Sequence, residues 1–135
     1  MPQVSRRARV ASIAGVAFAA AMFTGAPLAS ANDADIIRTG SCSSTSDWKL
    51  KLSPENGRIE VEFEVDQNRN GDTWDIRLRR DGVLIASGVR TTLAPSGSFE
   101  FRRVVNQSIG TDTFVARAVN RRTGEICRGA ATSDF

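Results

Sequence analysis

The chain has 135 residues, 18 lysines and arginines against 15 aspartates and glutamates, two cysteines and no histidine. The missing histidine removes the commonest general base, the usual nucleophilic triads and most zinc sites. Arginine outnumbers lysine 16 to 2, a bias read as a GC-rich genome rather than as a function.

Residues 1–31 read as an export signal. Arg6, Arg7 and Arg9 form a positive n-region, 13–23 is an apolar, alanine-rich stretch, and Ala29-Ser30-Ala31 is a small-x-small cleavage site. The apolar run, about 11 residues, is too short to span a bilayer. No second such run follows, so the expected product is secreted, with no membrane association after cleavage. Cleavage before Asn32 removes three arginines and no acid, leaving 15 bases against 15 acids. The net charge of the mature chain then gives no case for nucleic-acid binding.

The mature chain would be 104 residues long, the size of one domain. Residues 32–45 are polar and predict a flexible N-terminal segment. Residues 46–135 carry short alternating runs separated by turn residues, the pattern of an all-β antiparallel sandwich of about seven strands. The predicted strands are 48–52, 58–66, 73–80, 83–89, 98–105, 113–120 and 125–130. Between them lie Asn56-Gly57, Asn70-Gly71, Asp81-Gly82, Pro95-Ser96-Gly97 and Thr123-Gly124, which supply residues that tolerate positive φ.

Folding 48–52 onto 58–66 across the Asn56-Gly57 turn sets Leu52, Leu50 and Trp48 opposite Val61, Phe63 and Val65. It also sets Lys51 and Lys49 opposite Glu62 and Glu64. One face is then apolar and the other charge-paired, and a register shifted by two residues keeps the same match. The run Glu60, Glu62, Glu64 is therefore a solvated sheet face and not a metal or catalytic cluster. Trp74, Ile76 and Leu78 face inward from the third strand, and Phe114, Ala116 and Ala118 from the sixth.

Trp74, and Asp112-Thr113-Phe114 leading into the sixth strand, resemble the core tryptophan and sixth-strand approach of immunoglobulin-like and fibronectin type III sandwiches. The resemblance covers residues 44–131 and implies a fold, not a function. It departs from those families in having no tyrosine corner. The alanine-rich leader, WKLKLSPENGRIEVEFEVDQN and GSFEFRRVVN also resemble small secreted proteins of high-GC Gram-positive, actinobacterial type. That likeness implies secretion only.

Cys42 and Cys127 are the only cysteines, and exported cysteines usually pair. One intramolecular bridge would tie the N-terminal region to the last strand, worth roughly 4–5 kcal/mol in the chain-entropy model. A bridge between two chains is the alternative. Asp66, Asn68, Asn70 and Asp72 resemble the opening of a calcium loop. Arg77 stands where the twelfth-position acid belongs, and strands replace the flanking helices. A polar connecting loop is the simpler reading, and no cofactor is expected.

The resemblance to immunoglobulin-like sandwiches implies that 83–89, 73–80, 113–120 and 125–130 form one sheet, and its outward face is the candidate binding face. Its register places Arg79 opposite Leu84, Arg77 opposite Ala86, Val119 opposite Ile126 and Arg117 opposite Arg128. Arg77, Arg79, Arg117 and Arg128 would share it with Leu84, Val115, Val119 and Ile126, with Asp75 as the one nearby acid. An apolar face dotted with arginine is typical of interface cores. Arginines snorkelling over surface valines give the plainer reading.

The function expected is a small secreted binding module, monomeric or weakly self-associating. Its partner would be an acidic protein or an anionic cell-wall polymer, because arginine grips carboxylates and phosphates bidentately. The alternative is a small extracellular inhibitor or effector acting through loop 66–72. An enzyme is not expected: no histidine is present, paired cysteines leave no thiol, and the acids lie on charge-paired strand faces or in loops.

Overall fold

A computed structural model describes residues 34–135. The export-signal reading of 1–31 and the first two positions of the segment predicted flexible lie outside the described residues.

The described chain is all β, with eight strands: β1 (Ile36–Ser41), β2 (Asp47–Glu55), β3 (Arg58–Asp66), β4 (Thr73–Arg80), β5 (Val83–Thr91), β6 (Ser98–Asn106), β7 (Asp112–Asn120) and β8 (Ile126–Ser133). Two antiparallel sheets result, ordered β1-β2-β3-β6 and β5-β4-β7-β8. Their inner faces form one core, from Leu50, Leu52, Val61, Phe63 and Phe101 on one side to Trp74, Ile76, Leu78, Phe114 and Cys127 on the other. Alternation along each strand is the cause: β3 and β7 bury every second residue along their length.

The β2–β3 register is the one read from the sequence, with Leu52 opposite Val61, Leu50 opposite Phe63 and Trp48 opposite Val65. Asn56-Gly57 and Asp81-Gly82 close their hairpins with both φ angles positive (48° and 78°, 49° and 83°), the two-residue turn whose twist suits the flanking strands.

Two expectations are corrected. The sandwich has eight strands, not seven, because β1 lies inside the segment predicted flexible. Its inward positions read Ile36, Arg38 and Gly40, so alternation is absent. Gly40 is needed there because a Cβ would sit 2.7 Å from the Trp48 indole. The other correction is Arg77, which faces Ser87 and not Ala86. A bulge between Leu78 and Arg79 leaves Ile85 without a partner and shifts the register by one.

Cys42 and Cys127 form an intramolecular disulfide between the β1–β2 connection and β8. Beside it, the buried Glu125 carboxylate accepts from the Ser46 amide (3.0 Å) and Ser46 hydroxyl (2.6 Å). Ser43 adds a backbone bond from its amide to the Ile126 carbonyl, 2.9 Å. Trp48 closes this end of the core against Gly129, where a Cβ would lie 2.6 Å from the ring.

Candidate functional site

The outward face of β5-β4-β7-β8 is built from three cross-strand rows. Val89, Asp75, Val119 and Ile126 form the first; Ser87, Arg77, Arg117 and Arg128 the second; Leu84, Arg79, Val115 and Ala130 the third. All eight residues singled out in the sequence therefore lie on one face. Neighbouring strands stand about 4.8 Å apart, so three guanidinium-bearing side chains line up across β4, β7 and β8. Like charges directly opposite one another destabilise a strand pair.

The expected acid does not relieve them. Both Asp75 oxygens accept from Arg121, 2.8 Å from Nε and 2.7 Å from Nη2. That bidentate bond holds the Asp75 carboxyl below its ordinary range, with the charge of Arg77 a lesser contribution. Arg77, Arg79, Arg117 and Arg128 make no ion pair or side-chain hydrogen bond with a described residue. The other β4 arginine, Arg80, is fully engaged. It donates to Asp112 (2.5 Å), Ser108 (2.9 Å) and the Asn106 carbonyl (2.7 Å), and stacks 5.3 Å from the Phe114 ring centroid.

An open depression of about 440 Å³ lies over the first two rows, lined by Asp75, Arg77, Ser87, Val89, Arg117 and Val119 with backbone from Ile76 and Gly88. Arg128 and Ile126 extend it along their rows; Arg79, Leu84 and Val115 border it. Two cations, a hydroxyl and two valines line its shallow floor beside the Asp75 carboxylate, whose charge Arg121 offsets, so the free guanidiniums of Arg77 and Arg117 are what an anionic group with an apolar body would meet. Leu84 and Val89 are 49% and 46% exposed and give this side of the face an apolar rim.

Loop 66–72 is built differently. Its Asp72 is buried and points at Arg122, which donates from Nε (2.9 Å) and Nη2 (2.7 Å). Asn120 and Gln67 side-chain amides add bonds of 3.0 and 2.6 Å. Arg122 first, then Asn120 and Gln67, hold this carboxyl well below its usual range. Asp66 accepts from the Asn68 amide, 3.0 Å, in a local turn with Asn68 at φ 55°. Backbone bonds from Gln67 to Gly97 and from Gly71 to Thr92 tie the loop to the β5–β6 connection. A cation ligated by Asp72 would have to displace Arg122.

The outward face of the other sheet is acidic. Seven acids (Asp47, Glu55, Glu60, Glu62, Glu64, Asp66, Glu100) face four bases (Lys49, Lys51, Arg58, Arg102) on its strands. Lys51 pairs with Glu62 at 3.1 Å, Lys49 with Glu64 at 3.5 Å and Arg102 with Glu60 at 2.6 Å, the charge-paired face read from the sequence. Glu100 was not singled out. It stands directly opposite Glu64, and the carboxylates of Glu62, Glu64 and Glu100 lie within 4.8 Å of one another. Partial desolvation, then the charges of Glu62 and Glu64, push Glu100 up. Cross-strand neighbours 36 positions apart in sequence carry no local pattern, so only pairing through β6 discloses this cluster.

No protein-family model and no curated protein sequence matches the chain. Among solved structures it is similar to chicken MD-1 complexed with lipid IVa, at 10% identity and a TM-score of 0.31, over 74% of this chain and 98% of that one. A likeness at that score carries no argument about ligand or activity.

Proposed function

We propose that this chain is a small secreted binding module whose β5-β4-β7-β8 face takes a carboxylate- or phosphate-bearing partner, an acidic protein or an anionic cell-wall polymer. The observation that carries the reading is the row Arg77, Arg117, Arg128, three adjacent cations without a described counter-ion. Such a row is costly in the free monomer and favourable once an anion lies across it. Exposed aliphatics beside the row supply apolar contact, and arginine with buried apolar surface is the composition of binding hot spots.

Secretion is supported by the Cys42–Cys127 bridge, which belongs to an oxidising compartment. The immunoglobulin-like reading is supported by strand order: β2-β3-β6 over β5-β4-β7-β8 follows the connectivity of such sandwiches, with β1 added beside β2. Binding is favoured over turnover because the depression is open and its one carboxylate is held ionised by Arg121, which makes it a weak base.

The test is binding of labelled polyglutamate and of a polyphosphate-type polymer by fluorescence anisotropy. Wild type is compared with a folded Arg77→Glu/Arg117→Glu double variant. Wild type should bind at low salt and release as salt rises, and the variant should lose binding at least about tenfold. Equal binding by both proteins would remove the sheet face from consideration and move the search to loop 66–72.

A further inference from the structure

The two outer faces of this sandwich carry opposite charge, and each sets like charges directly opposite one another, although on the acidic face Glu64 also pairs with Lys49 at 3.5 Å. On the β5-β4-β7-β8 face Arg117 stands between Arg77 and Arg128. On the β1-β2-β3-β6 face Asp47 is directly opposite Asp66, and in the next row Glu64 is directly opposite Glu100. Both faces are four strands wide with the same interstrand repeat of about 4.8 Å, so cations on one and carboxylates on the other recur at a common spacing. Aliphatics accompany both: Leu84 and Val89 are 49% and 46% exposed on the basic face, Ile37 and Val104 are 42% and 41% exposed on the acidic face.

We propose that the partner of the arginine face is the acidic sheet face of a second copy of this chain. The inference rests on the reading of the arginine row as an anion-binding face and names its occupant. Stacking would place guanidiniums over the Glu64–Glu100 and Asp47–Asp66 pairs, relieving repulsion on both sides, while the aliphatics at the rims come out of water. The two faces lie on opposite sides of one sandwich, so the contact is heterologous. Each added copy leaves one basic and one acidic face free, and growth runs in line rather than closing into a two-fold dimer. A four-strand face is about 19 Å wide, near the low end of stable interfaces, so association is weak, concentration-dependent and salt-sensitive.

The experiment is sedimentation equilibrium of the oxidised protein at low and high salt, with two charge-reversed variants. Arg77→Glu/Arg117→Glu removes the basic face. Asp47→Lys/Glu100→Lys removes the acidic face while setting each new charge opposite a remaining carboxylate, Asp66 or Glu64. Wild type should gain about twofold or more in weight-average mass on concentration at low salt and return to monomer at high salt. Each variant alone should stay monomeric. Their equimolar mixture should form a discrete 1:1 dimer, because each contributes one intact face. Monomeric wild type at millimolar concentration and low salt, or a monomeric mixture, would overturn the proposal. Polyglutamate binding by the Asp47→Lys/Glu100→Lys variant separates the two readings. If it binds polyglutamate while wild type stays monomeric at millimolar concentration and low salt, the anion-binding face stands and this occupant is wrong; if it does not bind and wild type stays monomeric, both readings fall.

Discussion

Replacing Arg117 by glutamate should stabilise the monomer while abolishing its binding. Arg117 has Arg77 on one side and Arg128 on the other, each its direct cross-strand partner. Opposite-charge pairs in that position stabilise by roughly 0.2–1 kcal/mol, and like pairs oppose the sheet. Arg117→Glu turns two repulsive pairs into two attractive ones. Screening at a half-exposed surface limits the total to about 1–2 kcal/mol. Loss of the aliphatic stem, which lies over its neighbours, subtracts a few tenths. Arg117→Gln keeps part of the stem and removes the charge, so it should show about half the gain. For a domain of about 100 residues, 1 kcal/mol moves Tm by roughly 4–8 °C. Thermal and urea unfolding followed by tryptophan fluorescence, at ionic strengths of about 10 mM and about 1 M, reads the effect. The Debye length falls from about 30 Å to about 3 Å between them, so the order Glu above Gln above wild type should collapse at high salt. If both variants were less stable than wild type at low salt, the row would carry no unresolved repulsion, and its arginines would be ordinary snorkelling surface.

Removing the disulfide by Cys42→Ala/Cys127→Ala opens a link spanning 85 positions of sequence. The chain-entropy model puts the loss at about 4–5 kcal/mol, to be read as a fall in urea midpoint with a raised m-value, because the denatured chain without the cross-link is more expanded. Gly129→Ala should cost roughly 1–3 kcal/mol by overpacking, since its Cβ would lie 2.6 Å from the Trp48 ring, and a red-shifted tryptophan emission would report the displaced indole. Arg80 lowers Asp112 from 3.8 to about 2, chiefly through its hydrogen bond. A carboxyl depressed in the folded state adds stability that is complete above its unfolded pKa and is lost as pH falls through the folded one. Wild type should therefore lose stability between about pH 4 and pH 2, and Asp112→Asn should flatten that part of the curve. An unchanged slope would exclude Asp112 as its source.

The strands with strong alternation were legible because a period of two needs only local sequence. Arg58–Asp66 and Thr73–Arg80 have the bounds that alternation predicts, and lysine against glutamate identified the outward face of β2 and β3, while the choice between registers two residues apart rested on the Asn56-Gly57 turn. The eight residues of the arginine face followed from that alternation, from two short connections, and from the strand order that the immunoglobulin-like resemblance implies. Strand β1 was not legible, because its inward side is completed by an indole from β2 at Gly40 and by a disulfide to β8. The Leu78/Arg79 bulge was equally hidden, so Ser87 was missed as the neighbour of Arg77.

Alternation and turn chemistry, then, are carried by adjacent residues, and the sequence by itself determined which side of each alternating strand is wet. Which charges meet is a matter of distance between strands far apart in the chain, and that only the tertiary structure decided. It gave Asp75 to Arg121 and Asp72 to Arg122, left Arg77, Arg117 and Arg128 in line, and brought Glu100 against Glu64. Beyond residue 31 the chain has equal numbers of acids and bases, yet it acquires one basic and one acidic face because sheet pairing sorts its side chains in space, which composition cannot record.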